Sequence, residues 1–306
     1  GPLCSTDHYR CMNGRLLGGL QSGDLPKAAP RIGFLGNHAG FILLFMVLCI
    51  SGLTTTSCVF RSITESEPKP VEPIPGYGSV GKLPFKDVYY GSYFLEEKVG
   101  YSHLKIEPSG ENFSLVNESL VLLTVKDKTD ELSLKQTVIV RPDLSMVSLD
   151  SVAGENGKEL HLEGKTEGNR FMLEITKDGL KKDFEFPVDG KIYHSNAITL
   201  MPAIKGVKNG AHYTFKVLNE KKQALEEIDQ TVLKVQGPPG PNGAVWQVKT
   251  TIDHAIIYSW LDRKGLPVLE KALNGSLVTM LEDKNTAERF LKKKERLKQP
   301  KTGTRH

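Results

Sequence analysis

Lys158–Gly190 reads KELHLEGKTEGNRFMLEITKDGLKKDFEFPVDG. It divides into three short strands, Lys158–Gly168, Arg170–Gly179 and Leu180–Gly190, each ending in a glycine-bearing turn. The turns carry Glu-Gly-Asn and Asp-Gly, residues that take positive φ at low cost. The same signature runs upstream through SMVSLDSVAG (Ser145–Gly154), LKQTVIVRP (Leu134–Pro142) and SLVLLTVKD (Ser119–Asp127). Before these, DVYYGSYFL (Asp87–Leu95) and VGYSHLKIEP (Val99–Pro108) flank Glu96-Glu97-Lys98 and form a hairpin. Its first strand puts Tyr89, Gly91 and Tyr93 on one face and Tyr90, Ser92 and Phe94 on the other. Strands recurring at this short spacing predict an antiparallel meander.

Downstream, Ser195 caps a short helix through Leu200, which stops before Pro202. HYTFKVLN (His212–Asn219), AVWQVKTTID (Ala244–Asp253) and AIIYSWLD (Ala255–Asp262) resume the strands. Ala224–Gln236 is compatible with helix at its start and with strand at TVLKV. GPPGPNG (Gly237–Gly243) is a loop. The basic segment TAERFLKKKERL (Thr286–Leu297) predicts a helix capped by Thr286, with a thin apolar stripe of Phe290, Leu291 and Leu297. Lys298–His306 is a polar tail. The expected fold class is mainly β: a curled antiparallel sheet, a half-barrel, with one or two short helices. A signal segment precedes it and a basic C-terminal helix follows.

The N-terminal region is of another kind. GFILLFMVLCISGL (Gly40–Leu53) is apolar and precedes Thr54-Thr55-Thr56-Ser57-Cys58. At ~1.5 Å per residue it falls short of the ~20 residues that span a bilayer, and it fits the apolar region of a signal peptide. Cys58 is the last of four cysteines, after Cys4, Cys11 and Cys49. Ser57 is small, as a residue before a cleavage point is, and a Pro-rich stretch follows. The favoured reading is a bacterial lipoprotein signal with lipid on Cys58. Against it, Thr55 stands where such signals carry Leu. An ordinary cut near Ser57 and a short uncleaved anchor are the alternatives. The expected divisions are 1–57 extension and signal peptide, 58–84 Pro-rich tether, 85–283 half-barrel, and 284–306 basic helix and disordered tail.

Charge follows the same divisions. The whole chain is +4, but residues 284–306 carry +7 and residues 1–58 carry +2, leaving −5 for the body. An acidic body argues against a nucleic-acid face. The basic tail suits anionic headgroups, a protein partner, or plain solvation.

Chemistry is sparse. With no cysteine after Cys58 there is no disulfide framework, thiolate metal site or cysteine nucleophile in the body. His103, His161, His194, His212, His254 and His306 show no HxH or HxxxH spacing, so no metal ligand set is expected. Asp130, Asp150, Asp183, Asp189 and Asp253 read as turn residues. No nucleophile elbow or phosphate-binding glycine motif is present, and no cofactor is expected.

Two segments carry a family resemblance. YYGSYFLEEKVGYSHLKI (Tyr89–Ile106) and SWLDRKGLPVLEK (Ser259–Lys271) resemble the β-rich region preceding the catalytic core of bacterial transglutaminase-like proteins. There a W/YxGxYxxGxKxGY hairpin opens the module and a WLDxxGxxL strand-turn closes it. The resemblance spans Asp87–Asp283 and implies a half-barrel of the LolA/LolB type. No catalytic residue carries over, because the family's nucleophile is a cysteine. The expectation is a non-enzymatic envelope lipoprotein that faces the periplasm, with the outer membrane favoured because Val59 is not Asp. Its half-barrel would hold a lipid or acyl chain, or an envelope protein. An accessory subunit with a filled core is the alternative, and a hydrolase or transferase comes third.

Overall fold

Asn156-Gly157 and Asp178-Gly179 take positive φ at both positions, 50° and 83° in one pair, 50° and 76° in the other. These are two-residue turns whose twist matches that of the strands they join. Short turns of this kind recur through what the computed structural model describes, residues 71–125, 128–220, 222–235, 240–252 and 255–298. Cys58, the signal segment and the tail beyond Lys298 lie outside the described residues.

The first meander comprises β1 (Asp87–Phe94), β2 (Glu97–Ser109), β3 (Asn112–Val125), β4 (Lys128–Val140), β5 (Met146–Glu155), β6 (Lys158–Glu167), β7 (Arg170–Lys177) and β8 (Leu180–Pro187). The second comprises β9 (Ile192–Tyr193), β10 (His212–Asn219), β11 (Ala224–Lys234), β12 (Trp246–Ile252), β13 (Ala255–Leu261), β14 (Pro267–Ala272) and β15 (Leu277–Glu282). β1 pairs with β15, so both meanders form one sheet with β8 and β9 at its edges. All pairings are antiparallel except β9 with β10.

That topology forces curvature. β8 and β9 are opposite edges, yet only residues 188–191 separate them. Four residues reach about 17 Å. The edges must therefore approach each other without a ladder joining them, which makes a curled and unclosed sheet, as the sequence leads one to expect.

Two short helices sit on the concave face: α1 (Ser195–Ile198) and α2 (Met201–Lys205). Ala197, Leu200, Met201 and Ala203 are buried with Leu115, Val138, Leu149 and Phe171 of the sheet in one core. α1 ends before Pro202, as expected, and Pro202 lies in the first turn of a second helix, α2. There its missing N–H costs nothing.

The other departures are local. The first hairpin turns at Leu95-Glu96, with φ of 48° and 71°, not at residues 96–98. Phe94 pairs with Glu97, and the Leu95 amide donates to Ser276 O at 3.0 Å. Ala224–Lys234 is strand, paired on both sides. Residues 71–86, the end of the Pro-rich stretch, lie against the body. Val80, Leu83 and Phe85 are buried there, and Ile74 bridges Val207. Gly76 makes this close approach possible: at φ 91° a Cβ would come 2.8 Å from the Gly206 amide.

A third helix, α3 (Lys284–Lys298), contacts β1 and β2. Ala287 and Phe290 are buried. Asp283 caps it, not Thr286: its carboxylate accepts from the Thr286 amide at 2.9 Å and hydroxyl at 2.6 Å. Lys98 joins helix to sheet, binding Glu282 at 2.6 Å and Thr286 O at 3.0 Å. Among the described residues no helix is long and apolar enough to cross a membrane.

Candidate functional site

Strand register assigns the concave side chains. At one end of the curl they are Leu115, Val138 and Leu149, no more than 3% exposed. Further along the same strands the inward positions are Ser119, Leu134, Leu132 and Ala153, joined by Ser102 and Leu160 from β2 and β6. These are only half-buried. The concave side chains are thus buried at one end and keep accessible surface at the other.

α1 and α2 mark the boundary, and two buried glutamines fix them there. Gln136 on β4 accepts from the Asn196 side-chain amide and donates to Ser151 Oγ at 3.2 Å. Gln230 on β11 donates to Ile198 O at 3.0 Å and Thr250 Oγ1 at 3.2 Å. His194 completes the anchor. Its Nδ1 accepts from the Asn196 amide at 3.1 Å, so Nε2 carries the proton and donates to Glu220 Oε1 at 3.0 Å. His194 is 2% exposed and spends both nitrogens on these bonds. The network positions α1; no substrate reaches it.

A polar row crosses the wall of the open part. Gly100, Ser92, Thr279, Glu270 and Ser259 stand in direct register on β2, β1, β15, β14 and β13. Val121 and Val248 bound the row on either side. Ser259 donates to Glu270 Oε2 at 3.1 Å, and no cationic side chain pairs with this carboxyl among the described residues. Burial pushes the Glu270 pKa above its ordinary value, and the Ser259 hydrogen bond only partly opposes this. Tyr90 lies on the same face and donates to Pro267 O at 3.1 Å. Its pKa is raised by burial first, then by the nearby Glu270 and Asp262. Ser119 Oγ, across from Ser102, is buried without a partner. One part of this concave surface is aliphatic; in the other, Glu270 is an acid with no cationic partner among the described residues.

The convex face carries a second group. Asp150, His161 and Glu163 place one ligand atom each within 4.8 Å of one another. Asp150 heads a row of directly paired acids that continues through Glu163, Glu174 and Asp183. The triad has the donor types for a divalent cation, on an open surface where water competes. The sequence search for close histidine spacing misses it, because pairing across strands assembles it. It also misses Glu270, whose only signal is inward parity on a strand. Asp130, Asp150 and Asp183, expected beside turns, lie within β4, β5 and β8. Asp253 lies outside the described residues.

A groove of about 640 Å³ runs along Glu72–Tyr77 and Arg263, and the Tyr77 amide at its end donates to Ala203 O of α2 at 3.0 Å.

No family model matches the sequence, and no curated protein matches it. Two solved structures are similar in fold. One is a β-barrel-like protein of the domain of unknown function DUF1849 from Brucella abortus. It is 12% identical with a TM-score of 0.47, over 65% of this chain and 96% of that one. The other is a DUF1089 family protein from Pseudomonas aeruginosa. It is 10% identical with a TM-score of 0.34, over 56% of this chain and 88% of that one.

Proposed function

We propose that this chain is a non-enzymatic binding module whose half-barrel takes the apolar chain of an amphiphile through its open end. The observation that carries this is the contrast along the concave face. Leu115, Val138 and Leu149 are fully buried, whereas Leu132, Leu134, Ala153 and Leu160 keep accessible surface on the same side of the same sheet. Aliphatic side chains left half-covered inside a curl suit a ligand that completes their burial, at about 25 cal/mol per Å². A lipid on Cys58 would hold this module at the bacterial envelope. The apolar run, Ser57 and the Pro-rich stretch after Cys58 support that attachment.

The test titrates the full chain with a fluorescent fatty alcohol, whose headgroup is uncharged, beside Leu134→Arg, which sets a cation in the opening. Saturable binding in the parent and its loss in a variant with unchanged melting temperature are expected. A parent without saturable binding would leave the accessory-subunit reading in its place.

A further inference from the structure

We infer that the open concavity selects amphiphiles carrying a primary amine, with Glu270 as the counter-charge. This rests on the concavity being the binding site proposed above. Glu270 lies in a transverse row whose other members are Gly100, Ser92, Thr279 and Ser259, all small and none charged. Apolar Val121 and Val248 bound the row.

A carboxyl withdrawn from water is ordinarily matched by a cation. Among the described residues Glu270 has only Ser259, which donates to Oε2 and leaves the charge unmatched. Glu270 in turn acts on Tyr90, whose pKa it helps to raise. Tyr90 cannot supply the missing charge, and its hydroxyl is committed to Pro267 O. The desolvation that raises the Glu270 pKa is what an arriving ammonium would relieve.

The neighbouring hydroxyls fit the same ligand. A primary ammonium has three N–H donors, and Glu270 Oε1, Thr279 and Ser92 place acceptors on adjacent strands. The small residues of the row leave room beside the acid. The aliphatic positions Leu132, Leu134 and Leu160, on the same concave face, suit the chain. A carboxylate headgroup would meet an unmatched acid instead, which costs affinity.

The experiment measures binding of dodecylamine, dodecanol and dodecanoate, each below its micelle concentration, to the full chain and to Glu270→Gln at pH 7.5. In the parent the amine is expected to bind about tenfold more tightly than the alcohol. In Glu270→Gln that preference is expected to disappear, with an unchanged far-ultraviolet circular dichroism spectrum as the folding control. Equal affinity for amine and alcohol in the parent, or a preference for dodecanoate, overturns the amine site and leaves the concavity standing. An amine preference that survives in Glu270→Gln removes Glu270 from the role. Failure of all three to bind overturns the concavity as well.

Discussion

Glu270 also marks the stability of the fold. Its folded pKa lies above the 4.5 of the free side chain, so the folded state holds a proton that the unfolded state has already released. Stability therefore falls as pH rises from about 4.5 through the folded value, and is level above it. Glu270→Gln removes that slope. Melting temperatures at pH 4.5 and pH 7.5 are expected to drop more in the parent than in the variant. Parallel pH dependence in the two proteins contradicts the assignment. Little at this position is legible in the sequence. PVLEKA gives Val268 and Ala272 the same parity as Glu270, yet what Glu270 faces depends on β1, far away along the chain.

Among the elements, α1 and α2 are the least ordinary. Together they cover only residues 195–205, too few to be stable as isolated helices. Gln136 and Gln230 hold them from β4 and β11. Gln136→Ala would strand the Asn196 amide and open a void in a site 2% exposed. A loss of about 3 kcal/mol is expected in urea unfolding, from an unsatisfied buried donor plus a cavity. A loss under 1 kcal/mol would mean that the helices are held by apolar packing alone. Local signals placed the strands well where turns were Asn-Gly or Asp-Gly, and they sorted Tyr89 from Tyr90 correctly. They failed where a neighbour decides. Ala224–Lys234 begins with helix formers and becomes strand because β10 and β12 pair with it. Pro202 opens a turn because Leu200 and Met201 are already fixed in the core.

For the molecule as a whole, two short-range meanders are joined by one long-range pair. Local turns create β1–β8 and β10–β15, β9 adds to β10 in parallel, and the β1–β15 pairing joins both parts in one curl. The curl, and hence the concavity, follows from that single non-local contact, which no periodicity in the sequence encodes. At this scale the membrane reading also becomes testable. Intact-mass measurement of protein extracted from bacterial membranes is expected to show loss of residues 1–57 and added acyl mass on Cys58. A Cys58→Ala variant that still fractionates with membrane would contradict lipid attachment.

The central claim is that one end of the concavity is open to an apolar chain and the other is sealed by α1 and α2. Amide NMR of the full chain with a spin-labelled fatty alcohol tests it most directly. The expected result is selective broadening at Leu132, Leu134, Ala153, Leu160 and Thr279, with Val140, Met146 and Phe171 spared. Broadening centred on the sealed end or on the Glu72–Tyr77 groove, or none anywhere, would contradict the account.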